Sequence, residues 1–310
     1  MEPLQSWRGV FAIPCTPFTD DGALDRDGLA SVIEFCVNAG AHGIVAPVLA
    51  SEAWTLSAEE RGIVIDALVG GVHGRRPVVV GISAETQAAA LLLARQAEAS
   101  GGDAVIAIPP SECGDDLDAI FDFYRKLSGA VTLPIFVQNV DPPFGVRMSG
   151  AFVARLVREI PRVDWIKEET VPPGWAMTAE IEESGSKLRG VMGGVAGRYL
   201  FDEYRRGARG FMPACEVTDV HVQAWNALDR GDETRARRLF ERLLPVLSFE
   251  ARAGGVCKAV LKRRGVIASD YTRQFSGNPL DRYDRMELDW LLEDLEDLFT
   301  LAPLQARLAD

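Results

Sequence analysis

VDWIKEET, Val163 to Thr170, is the stretch on which the fold turns. Strand-like residues run into a lysine followed by two glutamates, in a chain with only 5 lysines against 28 arginines. Side chains alternate along a strand, so Trp165, Lys167 and Glu169 share one face and Ile166 and Glu168 the other. Seven further apolar runs of similar length surround it: 10–18, 43–48, 77–83, 104–110, 134–140, 188–194 and 210–215. Each is separated from the next by room for one helix. In the first such window Leu29, Val32, Ile33, Cys36 and Val37 repeat with helical period. The second opens on Ser57 and Glu60, a capping box. Gly40, Gly101 and Gly207 stand where left-handed caps would end helices before the next strand.

Val- and Ile-rich strands alternating with helices make a parallel sheet covered by helices. Eight of them in 310 residues point to an α/β fold, a (β/α)8 TIM barrel. The open doubly wound alternative expects a glycine-rich turn after its first strand, where CTPFTDDG stands instead. Beyond about residue 217 the pattern is helical only, with Leu239, Leu243, Leu244 and Leu247 on one face. The expected organisation is a barrel over 1–217 and a C-terminal helical extension over 218–310.

Composition bounds the function. Hydrophobic residues make up 47% of the chain, enough for a large core, and the net charge of −12 argues against nucleic acid and anionic membranes as partners. No apolar run reaches membrane-spanning length and the first residues lack a signal core, so a cytoplasmic protein is expected. The five cysteines, Cys15, Cys36, Cys113, Cys215 and Cys257, lack CxxC spacing and read as reduced thiols, not as metal ligands. With the histidines ungrouped as well, no metal is expected.

A barrel places its chemistry at the C-terminal ends of its strands. Those ends supply Glu52, Ser111, Glu112, Gln138, Asn139, Asp141, Lys167, Glu168, Glu169, Glu216 and Asp219, a single lysine among carboxylates and amides. Ile166 suits the helix-facing side, which turns Lys167 inward. An inward lysine is costly as a cation, and held neutral it can attack a ketone to form an imine. A buried ion pair with Glu169 or Glu216 explains it equally well from the pattern alone. The glycine run GVMGGVAGR, Gly190 to Arg198, reads either as a tight turn or as an anion cradle.

Several motifs resemble the dihydrodipicolinate synthase / N-acetylneuraminate lyase superfamily over nearly the whole chain. They are TPF at 16–18, SEAWTLSAEER at 51–61, PIFVQNV at 134–140, IKEET at 166–170 and RGVIASD at 264–270. The resemblance implies a class I Schiff-base lyase whose imine forms on Lys167, without a separate cofactor. It implies a substrate carboxylate bound at Leu49, Ala50 and Ser51, with Ser111, Gly194 and Glu216 as further substrate contacts. It also implies a homo-oligomer, tetramer or dimer. The family's paired threonines are replaced here by Leu49–Ser51, and its tyrosine before Asn-Val by Gln138. These departures argue against synthase chemistry and resemble the L-2-keto-3-deoxyarabonate dehydratase branch, which carries glutamine there and a glutamate where Glu169 stands. The implied reaction is dehydration of a short 2-oxo sugar acid to 2-oxoglutarate semialdehyde, with Glu169 as acid/base and Gln138 orienting. An aldolase or deaminase of the same family, and a binding relative without catalysis, are the alternatives. Glu52 is expected to organise its own loop, and Asp219 and Glu216 to meet distal hydroxyls or solvent.

Overall fold

The computed structural model describes residues 7–252 and 254–307. Eight parallel strands hydrogen-bond in sequence order into a closed barrel. They are β1 (Gly9–Ala12), β2 (Gly43–Ala46), β3 (Val78–Gly81), β4 (Ala104–Ala107), β5 (Ile135–Val140), β6 (Val163–Glu169), β7 (Gly190–Gly193) and β8 (Gly210–Phe211). Helices α1 (Arg26–Asn38), α2 (Ala58–Val72), α3 (Gln87–Ala99), α4 (Leu117–Ala130), α5 (Gly150–Glu159), α6 (Gly174–Ser184), α7 (Leu200–Arg206) and α8 (Thr218–Asp229) follow them in turn. Three more helices come after: α9 (Glu233–Arg252), α10 (Val256–Arg263) and α11 (Arg282–Glu293). All eight expected strands are present, and several are shorter than their apolar runs. Pro14, Pro47, Pro109 and Pro213 stand just past β1, β2, β4 and β8. Proline has no N–H to give a ladder, so the apolar sequence continues where the strand cannot.

Chain contacts divide the molecule into two compact units. One comprises Trp7, Arg8 and residues 77–212 and holds β3 to β8. In it β5 pairs with β6 so that Gln138 lies opposite Lys167 and Val140 opposite Glu169, while β7 sets Met192 beside Lys167. Paired residues of neighbouring strands point the same way, so Gln138, Lys167 and Met192 form one inward layer. The layer beneath is aromatic. The Phe136 and Trp165 rings stack 5.1 Å apart, and Trp7 closes on Trp165 at 5.7 Å. Gly190 makes room for this layer, since a Cβ there would stand 2.6 Å from the Trp165 ring.

The other unit, residues 9–76 and 213–307, holds β1, β2, α1, α2 and the four last helices. Ser57 and Glu60 form the expected capping box at the start of α2. The predicted apolar face of α1 is buried at Leu29, Val32, Ile33, Cys36 and Val37. α8 packs on β1. Arg264, fully buried, binds Asp219 through both guanidinium nitrogens at 3.0 and 2.7 Å and lies over the Phe299 ring. Among the described residues, no helix is long and apolar enough to cross a membrane.

Candidate active site

β6 delivers the two groups that its period-2 pattern predicts. The Lys167 side chain is 2% exposed and its Nζ lies 3.0 Å from Glu169 Oε2. Gln138 Nε2 donates to the same oxygen at 2.8 Å, and the Val195 N–H donates to Glu169 Oε1 at 3.2 Å. Lys167, Glu169 and Gln138 are therefore one hydrogen-bonded group. Among the described residues the buried Gln138 Oε1 accepts no hydrogen bond, which leaves it available as an acceptor. The ion pair expected as the alternative to a reactive lysine is present, and its partner is Glu169.

The loop after β7 is shaped around that carboxylate. A Cβ on Gly194 would stand 2.6 Å from Glu169 Cγ, so only glycine fits there. Val195, Ala196 and Gly197 then take φ of 52°, 57° and 77° in succession. A β-branched residue in the left-handed region is an outlier that the surroundings must hold in place. Here the result is a backbone N–H aimed at Glu169. The glycine run thus cradles an anion, and the anion is the protein's own.

The opposite face of β6 carries a feature that the sequence pattern did not reveal. Glu168 is fully buried and accepts from Asn139 Nδ2 at 2.8 Å and from the Thr170 N–H at 2.7 Å, with the Thr170 hydroxyl on the same oxygen. Asn139 is itself clamped to the Met148 backbone. Two more buried glutamates face this one, Glu180 of α6 and Glu203 of α7. Burial, then the charge of Glu168, pushes the Glu180 carboxyl well above its ordinary range and that of Glu203 up to about 8. In the sequence both look like ordinary helix-surface glutamates. Gly193 makes the room that Glu203 fills, since any Cβ there would collide with the Glu203 carboxyl.

Other expected residues occupy definite places. Ser111 opens a 3-10 turn and its hydroxyl donates to Glu85 O at 3.3 Å. Asp141 is held by Arg147 and by the Val171 N–H at 2.9 Å, and Arg147 keeps its carboxyl below the usual range. In the second unit Leu49, Ala50 and Ser51 form a single 3-10 turn. The Ser51 hydroxyl, expected to meet a substrate carboxylate, is instead buried and donates to Pro14 O at 2.8 Å. Its N–H is bound to Val48 O, so only Leu49 and Ala50 of this turn line a cavity of about 290 Å³, shared with Cys15, Glu52, Cys257 and Lys258. Glu52, expected to organise its own loop, ties that loop to later segments: its carboxylate accepts from the Arg273 N–H and pairs with Lys258. The expectation that Glu216 and Asp219 could simply be solvated is corrected. Both are buried at 1% exposure, Asp219 on Arg264 and Glu216 against Cys257.

The dihydrodipicolinate synthetase family profile matches residues 6–294. The chain belongs to this family. It is a lyase of that family, and its relatives carry more than one activity. The chain is 30% identical over 274 residues to L-2-keto-3-deoxyarabonate dehydratase of Azospirillum brasilense, covering 86% of this chain and 87% of that protein. It is 32% identical over 243 residues to 4-hydroxy-tetrahydrodipicolinate synthase of Methanothrix thermoacetophila, covering 78% and 81%. The crystal structure of dihydrodipicolinate synthase from Rhodopseudomonas palustris superposes with a TM-score of 0.86 at 28% identity, covering 94% of this chain and 98% of that one.

Proposed function

We propose that this lyase works through an imine on Lys167 and dehydrates a short 2-oxo sugar acid, with L-2-keto-3-deoxyarabonate as the best substrate. The observation that carries this reading is the buried amine of Lys167 held 3.0 Å from a carboxylate that Gln138 also binds. A carboxylate so close can take the ammonium proton and return it, which converts a resting ion pair into a nucleophile. Lys167 Nζ then adds to the C2 carbonyl and water leaves, giving a protonated imine. The iminium acidifies C3. Glu169 removes a C3 proton, and the enamine expels the C4 hydroxyl as water with Glu169 supplying the proton. A proton passes from C5 to C3, the resulting enol becomes the C5 aldehyde, and hydrolysis frees Lys167 and 2-oxoglutarate semialdehyde. Gln138 does not titrate, so it orients the carboxylate and offers its free Oε1 to a substrate hydroxyl or to water. Ser111 and Gly194, in the same unit as Lys167, are the proposed further contacts for the substrate.

Borohydride reduction in the presence of the 2-oxo acid tests this reading. The expected result is a stable adduct on Lys167, absent in Lys167→Ala, with semialdehyde formed and no pyruvate released. Pyruvate release with an adduct would make the chain an aldolase. No adduct with either L-2-keto-3-deoxyarabonate or pyruvate overturns the imine reading. A homo-oligomer, dimer or tetramer, is proposed as well. Light scattering on the eluting protein measures it directly.

A further inference from the structure

Three cysteines that the sequence scatters come together in the second unit. Cys15 follows β1, Cys215 follows β8 and Cys257 lies in the first turn of α10, and their sulfur atoms all stand within 4.8 Å of one another. Cys36 of α1 lies against Cys215 as a fourth thiol. A second observation points into the same place. Glu216 is 1% exposed, its carboxyl group lies against the Cys257 thiol and its own backbone N–H, and among the described residues neither oxygen has a well-formed hydrogen bond. A buried carboxylate in that condition calls for an ion or a donor.

We propose that Cys15, Cys215, Cys257 and Glu216 form a binding site for one thiophilic divalent cation of the zinc class. Zinc–sulfur bonds of about 2.3 Å set sulfur atoms about 3.8–4.0 Å apart around a tetrahedral or trigonal centre. The cluster is thus already within reach of that geometry. Thiolates are the ligands that select soft ions over magnesium and calcium, and the Glu216 carboxylate lies against Cys257 as the anionic group that supports the fourth position. Cys257 sits on α10 and the other ligands directly follow strands, and Lys258, beside Cys15, offsets part of the negative charge that the anionic ligands bring. An entry path exists: Cys15 and Cys257 line the cavity of about 290 Å³, whose wall also includes the half-exposed Phe275. The inference is independent of the reading of Lys167, because it uses none of that residue's neighbours.

The test is a titration of the reduced, chelator-stripped full-length protein with Co²⁺ and then Zn²⁺. One equivalent of Co²⁺ is expected, with a thiolate-to-cobalt charge-transfer band in the near ultraviolet that Zn²⁺ abolishes. Cys257→Ser should lose the band, and Cys113→Ser, far from the cluster in sequence and in the other unit, should keep it. Glu216→Gln should weaken binding by about tenfold or more, as loss of a supporting group around a metal does. Thiol alkylation read by peptide mass spectrometry needs no variant at all. Zn²⁺ should protect Cys15, Cys215 and Cys257 in the unaltered chain and leave Cys113 as reactive as before. Absence of the band together with unchanged alkylation overturns the proposal. So does formation of a disulfide within the trio in the stripped protein that goes on to take up no metal.

Discussion

At the scale of the residue, Lys167 and Glu169 must share one proton between two demands. Attack on a carbonyl needs a neutral amine, and departure of a hydroxyl needs an acid. Only 3.0 Å separates Nζ from Oε2, so one transfer along that line meets the first demand and prepares the second. Replacing Glu169 with Gln removes the acceptor and keeps the shape. The Lys167 amine and the shape around it are retained, so imine trapping is expected to persist. Turnover is expected to fall by about 10²–10⁴-fold, the usual share of a positioned acid/base. Comparing borohydride trapping with steady-state turnover in Glu169→Gln checks both parts. Loss of trapping would show that Glu169 is needed to form the imine, and unchanged turnover would remove it from the chemistry. Much of this group was legible in VDWIKEET, because a strand's alternation requires no knowledge of the rest of the fold. The cysteine trio was illegible for the opposite reason. Its members sit at positions 15, 215 and 257, and only the folded chain brings these three segments of one unit together.

At the scale of the element, β7 and its loop decide where the Glu169 carboxylate rests. Two adjacent glycines serve opposite faces: Gly193 leaves space for Glu203 on the helix side, and Gly194 leaves space for Glu169 on the inner side. Gly194→Ala places a methyl 2.6 Å from Glu169 Cγ, a contact relieved only by moving the carboxylate or the loop. A displacement on the order of 1 Å can cost about 100-fold in rate, so a drop of roughly that size in kcat is expected. KM should change much less, and the far-ultraviolet circular dichroism should not change. An unaltered kcat would show that Glu169 tolerates movement and does not act from its present position. The sequence run GVMGGVAGR showed that a tight loop stood here and left its purpose open. What it could not show was the left-handed succession at Val195 and Ala196, since neither residue advertises that conformation. Strand ends are hard to read for a related reason: apolar composition persists through the prolines after β1, β2, β4 and β8, and hydrogen bonding does not.

At the scale of the whole molecule, stability should depend on pH through the carboxylates behind β6. Burial, reinforced by the charge of Glu168, raises Glu203 from 4.5 to about 8 and sends Glu180 upward as well. The folded state therefore holds protons on these groups that the unfolded chain releases near pH 4.5. Where the native state binds more protons than the unfolded one, stability falls as pH rises. The contribution of Glu203 is fully present below its unfolded pKa, declines from there upward, and is lost by the time the pH has passed about 8. The direction opposes that of Asp141 and Glu60, whose partners lower their pKa values and whose contributions vanish on acidification. A tenfold change in proton affinity is worth about 1.4 kcal/mol, so Glu203 alone contributes an effect of a few kcal/mol. Glu203→Gln keeps the volume and gives up the proton dependence. Its amide stays neutral beside the charge of Glu168 at every pH. Urea unfolding at pH 5, 7 and 9 should then show the unaltered protein losing stability toward pH 9 and the variant losing markedly less. At pH 9 the variant should be the more stable of the two. Equal slopes would mean that Glu203 is ionised when folded, and a counter-charge for it would have to be found within its own unit.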